Sequence, residues 1–473
     1  MPTSPTTGGL SDAGDRAVKR PTRRNFELLL LVMAWGLGVL GTVQVGWATG
    51  EGLHPRLWIT AAVVGVLALI AHVIVRWRVP YADPLLLPLA TLLTILGLVM
   101  IYRLDVAAAQ RAERVGAVPP TPDVYNQLTW YAVGVTLFVL VLLALRDHRI
   151  LQRYTYTAGL IGIILLILPL APVIGTTVNG ATLWVRVGGL TFQPAELAKI
   201  ALTIFFAGYL VVNRDSLALV RTRFLGIEFP RPRDLGPILV VWLVSLAVLI
   251  FERDLGTSLL FFGLFVSMLY IATQRRSWFV LAGALFAVGA VFAYLAFGHV
   301  RVRVQVWLDP FAYADTGGFQ IVQSLYGLAN GGLLGTGLGG GYPSLVPFAN
   351  TDFVVAALGE ELGLTGVIAI LLLYAVLVER GLRTAVAVRD PFGQLLAAGL
   401  SITLAIQVFV IVGGVTRLIP LTGLTTPFLS YGGSSLVANW IIIALLLVIS
   451  HRARRPAQEQ PDAASMPTQV VSR

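Results

Sequence analysis

Asp352 stands at the entrance of a long apolar run, and two more carboxylates, Glu360 and Glu361, follow inside it in "TDFVVAALGEELG" (351–363). Charge in a membrane-depth helix costs about 2.5–3.5 kcal/mol on insertion scales, so each acid must face protein or water and find a partner. On a helix beginning near Asp352, successive residues turn by about 100°, which puts Glu360 about 80° and Glu361 about 180° away, roughly 12 Å deeper. Asp352 and Glu360 are therefore expected to share one cavity-facing side, with Glu361 against a different neighbour. Asp352 suits either a helix cap or a general base, and Glu360 and Glu361 suit either chemistry or a buried network that fixes helix packing.

Three further clusters carry polar chemistry. In "TFQPAELAKIAL" (191–202), Pro194 fits the first helical position, Gln193 the cap and Glu196 the place of a capping carboxylate. Lys199 follows Glu196 by three residues on the same face, as structural glue or as a cation for phosphate. "FERDLGTSLL" sets Glu252, Arg253 and Asp254 between two apolar runs and reads as a solvated hairpin. "LTGLTTPFLSYGGSSL" (421–436) mixes Gly, Pro and hydroxyls at the entry to the last apolar run, so it must be irregular backbone buried in protein or lining a watery cavity. The five histidines are scattered without ligand spacing, cysteine is absent, and no nucleotide or metalloprotease motif is present.

The elements that must position these residues are membrane spans. With 56% hydrophobic and 12% charged residues and a mean hydropathy of +0.81, the chain lies outside the soluble range. Twelve apolar segments approach the roughly 20 residues a bilayer requires: 27–47, 57–75, 83–101, 128–145, 154–173, 195–212, 236–251, 254–273, 278–297, 353–378, 392–413 and 432–450. The first follows a basic stretch but is longer than a signal-peptide core, and is read as an uncleaved span. Basic residues collect at alternate connections, among them Arg76, Arg78, Arg146, Arg149, Arg275, Arg276, Arg380, Arg383 and Arg454. That bias places both termini in the cytoplasm and accounts for the +10 charge without nucleic acid. Residues 1–24 and 452–473 read as disordered tails. The longest external connection, 298–352, contains a helical pattern at 319–329 followed by the glycine-rich "NGGLLGTGLGGGYP", a loop able to approach a ligand closely.

Four stretches, "FQPAELAK", "DLGTSLL", the loop from "LDPFAYADTGGFQIVQS" to "TDFVVAALGEELGLTG", and "PLTGLTTPFLSYGGSSL", together resemble the SEDS (shape, elongation, division and sporulation) family of the RodA/FtsW type. The resemblance runs from about residue 83 to 450. It implies an all-α polytopic membrane protein whose ten-helix core, 79–451, carries an added N-terminal hairpin, 25–78. Departures from the family pattern are Asn350 in place of His, Arg253 in place of Pro, Leu183 in place of a basic residue, and Arg417.

The activity so implied is a peptidoglycan glycosyltransferase in the bacterial cytoplasmic membrane, polymerising lipid II at its outer face during elongation or division. Asp352 matches the family's catalytic aspartate. Joining two lipid-linked sugars needs a base for the acceptor hydroxyl, cationic help for the leaving diphosphate, and a groove that leaves both tails in the bilayer. Lys199, Arg186 and Arg303 are the candidates for the diphosphate, with a divalent cation (Mg or Mn) held between carboxylate and phosphate oxygens as the one cofactor considered. Glu196, Glu360, Ser434 and Ser435 are the remaining polar groups expected around substrate. A class B penicillin-binding transpeptidase is the implied partner. A lipid II flippase or transporter is the alternative, and a scaffold for other wall enzymes a third reading; polymer formation from purified lipid II separates all three.

Overall fold

The computed structural model describes residues 22–52, 55–172, 174–178, 181–187, 190–218, 220–224, 227–230 and 236–456. The expected disordered tails fall mostly outside the described residues. Their inner ends are helical, because α1 (Arg24–Ala48) starts at Arg24 and the last helix runs to Arg454.

Each expected apolar run is a helix. After α1 come α2 (Pro55–Arg78), α3 (Leu86–Arg114), α4 (Asp123–Ala144), the short α5 (Ile150–Arg153), α6 (Thr155–Ile167), α7 (Ala195–Ala218), α8 (Gly236–Phe251), α9 (Leu255–Thr273) and α10 (Ser277–Ala296). The long loop contains α11 (Gly298–Leu308) and α12 (Phe319–Gly331), and the chain closes with α13 (Val354–Ala387), α14 (Pro391–Val415) and α15 (Gly433–Arg454). Among the described residues, ten helices are long and apolar enough to cross a membrane; the other two expected crossings are shorter apolar helices at Thr155–Leu170 and Leu239–Val248. α15 and α3 are buried over most of their length and form the centre, whereas α1, α2 and α10 turn rows of Phe, Leu, Val and Trp outward. A helix apolar all round belongs in a core or in lipid, and this bundle uses both solutions.

The connections are more ordered than the sequence suggests. Residues in the 174–194 link pair as a three-stranded antiparallel sheet of β1 (Gly175–Val178), β2 (Ala181–Val187) and β3 (Leu190–Phe192), and β4 (Val220–Phe224) pairs with β5 (Ile227–Pro230) at the opposite end of the bundle. β1 and β2 are rich in the β-branched Thr and Val that favour strands, a signal masked by its position between apolar helices. The end bearing α11 and α12 is here termed the loop face and the other the arginine face.

Gly363 breaks α13, with φ 70° and ψ −174°. In an unbroken helix the carbonyls of Glu360 and Glu361 would accept from the amides of Leu364 and Thr365. Here the glycine-rich loop takes both sides of that exchange. Thr336 and Gly337 donate to the Glu360 and Glu361 carbonyls (3.0 and 2.9 Å), and Leu364 and Thr365 donate to the carbonyls of Gly332 and Leu333 (2.9 and 3.1 Å). The kink thus leaves these backbone groups satisfied, as a buried kink must. The approach is possible only without side chains, since a Cβ on Gly363 would lie 2.3 Å from the Gly335 nitrogen. A Gly363→Ala substitution is expected to incur about 1–3 kcal/mol of backbone cost, because this positive-φ, extended-ψ conformation is essentially confined to glycine, in addition to that collision, and to lower the thermal unfolding temperature of the detergent-purified protein; an unchanged temperature would show that the interlock contributes nothing to stability.

Candidate functional site

Asp352 lies in a tight turn ahead of α13. Thr351 and Phe353 donate to the carbonyl of Phe348 (3.0 and 3.2 Å), whose φ of 56° marks the bend. The turn is held from two sides. Tyr431 donates its amide to the Asn350 carbonyl (2.7 Å), Ser430 Oγ donates to the Thr351 carbonyl (2.6 Å), and the Asn350 side chain donates to Asp123 at the start of α4 (2.8 Å). Asp352 itself does not cap α13, whose first turn has no side-chain cap. Its carboxylate accepts no hydrogen bond among the described residues and faces Gly423, where a Cβ would stand 3.9 Å from Oδ2.

Around Asp352 gather groups from three other elements. Arg303 of α11 anchors Nη1 on the carbonyls of Leu421 and Thr422 (3.2 and 3.1 Å) and lies within electrostatic reach of Asp352 and Asp254. Asp254 caps α9 through the amide and hydroxyl of Thr257 (2.9 and 2.5 Å). Glu252 is buried, and its Oε2 has no partner among the described residues. The expected solvated hairpin is therefore a buried corner instead. Thr182 of β2 donates to the Glu252 carbonyl (3.3 Å), so the sheet covers it, and a Cβ on Gly256 would meet Leu424 at 2.4 Å.

Desolvation sets the protonation of this corner. Burial pushes the Asp352 carboxyl up to about 6; Arg303 opposes that rise and Asp254 adds to it. The placement differs from the solvated aspartate expected from sequence, and the group remains ionised at neutral pH because it stays below 7. Burial, aided by Asp254, pushes Glu252 up to about 8, so that carboxyl is neutral at pH 7. Asp254 is also raised by burial, with its Thr257 bonds and Arg303 working the other way.

The other candidate residues lie in closed networks. Lys199 is buried, donates from Nζ to Gln407 Oε1 (2.9 Å) and Asn439 Oδ1 (3.0 Å), and lies 2.6 Å from Glu196 Oε2 as an ion pair, so its charge is enclosed within the bundle. Glu196 is thereby an ion-pair partner rather than the capping carboxylate, with Thr425 Oγ1 at 3.5 Å from its other oxygen. Ser434 accepts from the Gln193 amide (2.9 Å) and Ser435 from the Asn439 side chain (3.2 Å), joining the start of α15 to the start of α7. Arg186 is exposed on β2.

Glu360 does not share a side with Asp352. Its Oε1 accepts from Asn330 (3.0 Å) and from the Tyr342 amide (2.8 Å), because the interlocked loop occupies the space beside it. Glu361 pairs with Arg103 of α3 (2.7 Å) and accepts from the Gly339 amide (3.1 Å). Arg103, Asp123 and Ser430 went unrecognised in the sequence. Arg103 stands two residues beyond the end of the 83–101 apolar run, where nothing in the sequence separates it from an ordinary connection residue.

Removing one member of a buried ion pair typically destabilises by about 3–5 kcal/mol, because its partner is left charged and unpaired. Lys199→Met is accordingly expected to lower the unfolding temperature sharply, and adding Glu196→Gln to restore part of the loss. Equal unfolding temperatures for wild type and Lys199→Met would contradict the closed network.

A family model described as cell cycle protein, FtsW/RodA/SpoVE, matches residues 83–455. The chain is 52% identical over 444 residues to the peptidoglycan glycosyltransferase RodA of Mycobacterium tuberculosis, covering 93% of each, and 49% identical over 452 residues to that of Mycobacterium leprae, covering 96% of this chain and 95% of the relative. A solved structure of a peptidoglycan synthase complex, described as coordinating polymerization and crosslinking, superposes with a TM-score of 0.61 at 27% identity over 79% of this chain and 99% of that one. A mutant of the rod shape determining protein RodA from Thermus thermophilus gives 0.54 at 27% identity with the same coverage.

Proposed function

The chain belongs to the FtsW/RodA/SpoVE family and is a peptidoglycan glycosyltransferase, and we propose that Asp352 is the general base with which it joins lipid II units into glycan strands. The carrying observation is the Asp352 carboxylate, which accepts no hydrogen bond among the described residues and lies within electrostatic reach of the Arg303 guanidinium. Ionised Asp352 takes the proton of the acceptor's 4-hydroxyl as that oxygen attacks the donor's anomeric carbon. The bond to the diphosphate breaks, and the departing negative charge develops beside Arg303, whose Nη1 is already fixed by two carbonyls. A cation so tethered needs little reorganisation when the charge appears, which is the condition for electrostatic catalysis.

Arg303 is favoured over the other two cations for this role. The charge of Lys199 is enclosed within the bundle, and Arg186 projects from the sheet into solvent. Ser434 and the Lys199–Asn439 bond tie α7 to α15, Glu196 pairs with Lys199 within α7, Ser435 accepts from Asn439 within α15, and Glu360 shapes the glycine-rich loop. Among the described residues no group of three side chains could hold a metal ion, so no step is assigned to a divalent cation.

The loop face is the outer face of the bacterial cytoplasmic membrane in this reading, with both termini in the cytoplasm, as the arginine bias at the opposite end supports. The greater identity to relatives named RodA than to those named FtsW, 34% and 35% for two Geobacter proteins, favours the elongation type. The likeness to a synthase complex supports a transpeptidase of the class B penicillin-binding type as partner.

Purified protein and lipid II should yield a ladder of glycan polymer. Asp352→Asn is expected to fold and insert but give none; polymer at near wild-type rate from that variant would remove the base assignment, and unaltered lipid II crossing a reconstituted bilayer would favour a flippase. Because the base must be ionised, the rate is expected to fall as pH drops through about 6, with a plateau above 7. Replacing Arg303 with Gln removes the group that lowers the Asp352 pKa, so the acidic limb should move to higher pH; a limb that stays put would separate the two residues.

A further inference from the structure

The hairpin α1–α2 precedes the family match, which begins at residue 83, yet it is fastened to the core at both membrane faces. At the arginine face Glu27, fully buried, pairs with Arg24 and with His72 Nδ1 (2.8 Å), and Arg24 also reaches the carbonyl of Ala82, just ahead of α3. At the loop face Gln110 of α3 donates to the carbonyl of Thr49 (2.9 Å). Between these ties α1 lies tight on α3, since a Cβ on Gly38 would meet Ile95 at 2.2 Å and one on Gly41 would meet Val99 at 3.3 Å.

The same face of α1 continues beyond α3 onto the glycine-rich loop. A Cβ on Gly41 would stand 3.6 Å from Leu338, and one on Gly339 would stand 2.6 Å from Cβ of Ala48 and 3.5 Å from the Val45 backbone. Val45 is fully buried there, and Gly339 has φ +90°. The loop is therefore enclosed by α1 on one side and the kinked α13 on the other. Arg103 of α3 closes the remaining edge, donating to the Gly341 carbonyl and to Glu361 (both 2.7 Å).

We propose that α1 is a brace for the turn that carries Asp352, with Val45, Ala48, Gly339 and Arg103 as positioning residues. A glycine-rich segment has little side-chain packing of its own and the largest conformational freedom to lose, so its order depends on the walls around it. One wall is the stretch of α13 holding Glu360 and Glu361, about two helical turns below Asp352. If the loop loosens, the exchanged backbone bonds at the kink loosen with it, and the entrance of α13 shifts. Misplacement of about 1 Å at a reacting group can cost about 100-fold in rate. The link to catalysis rests on Asp352 as the base; the bracing of the loop does not.

The test uses the full-length chain with Val45→Ala, Gly339→Ala, and Gly339→Ala combined with Ala48→Gly. Hydrogen exchange is read at the amides of residues 336–339, and polymerisation of lipid II gives kcat and KM. In Val45→Ala, exchange at these amides should rise about tenfold or more, with kcat falling about threefold or more and KM staying within about twofold. Gly339→Ala should lower kcat further, and Ala48→Gly should recover part of that loss by clearing the 2.6 Å approach. Unchanged exchange in Val45→Ala overturns the brace even if Gly339→Ala fails to fold. Raised exchange with unaltered kcat overturns the link to catalysis. Absence of polymer from the wild type would instead strike the reading of Asp352, and exchange alone would then decide the brace.

Discussion

The loop face depends on one exchange of backbone hydrogen bonds. At Gly363 the ladder of α13 is interrupted, and four backbone groups that would have paired within the helix pair with the segment 332–337. In a bilayer such an interruption persists only where other protein groups take up the freed donors and acceptors. Gly335 of that segment, Gly331 just ahead of it and Gly363 opposite each leave no room for a Cβ, because there backbone touches backbone. Once this junction is made, Glu360 and Glu361 have partners assigned to them by position. Glu360 holds the turn at Tyr342, and Glu361 reaches Arg103 and the Gly339 amide.

That constraint separates the acids of this face into two kinds. Glu360 and Glu361 are buried and bonded to donors from neighbouring elements, which turns a costly buried charge into a specific joint, and Glu196 is buried against Lys199 of its own helix. Asp352 is the exception, half-buried with no donor on its carboxylate among the described residues. An acid held this way must be fixed through its backbone instead. Ser430, Tyr431 and Asn350 do so, binding the turn 350–353 to the irregular segment before α15 and to α4.

The spans were legible because each is an apolar run of near-bilayer length, a signal that needs no tertiary information. α12 was likewise readable from its 3.6-residue spacing. The direction in which side chains point was not. Helical geometry put Glu360 on the side of Asp352, but the angle between two positions says nothing of a loop from 18 to 30 residues earlier in sequence that returns to occupy the space. The burial of Glu252 and Asp254 escaped for a related reason: three charged residues between two spans look like a water-exposed corner until a sheet and Leu424 cover it. Arg103 was overlooked because its partner, Glu361, lies far along the chain.

The chemistry at Asp352 reflects a balance between two opposing demands. A base must be ionised at working pH, which favours water, yet it acts best where water is displaced and its charge is directed at one proton. Burial alone drives a carboxylate toward the neutral form. Arg303 restrains that drift, and because its guanidinium is held on the carbonyls of Leu421 and Thr422 rather than on Asp352, it lends field without consuming the acceptor lone pairs. Asp254 is handled differently. Each of its oxygens accepts from Thr257, whereas among the described residues no donor meets either oxygen of Asp352, which leaves both to accept a proton from a substrate hydroxyl.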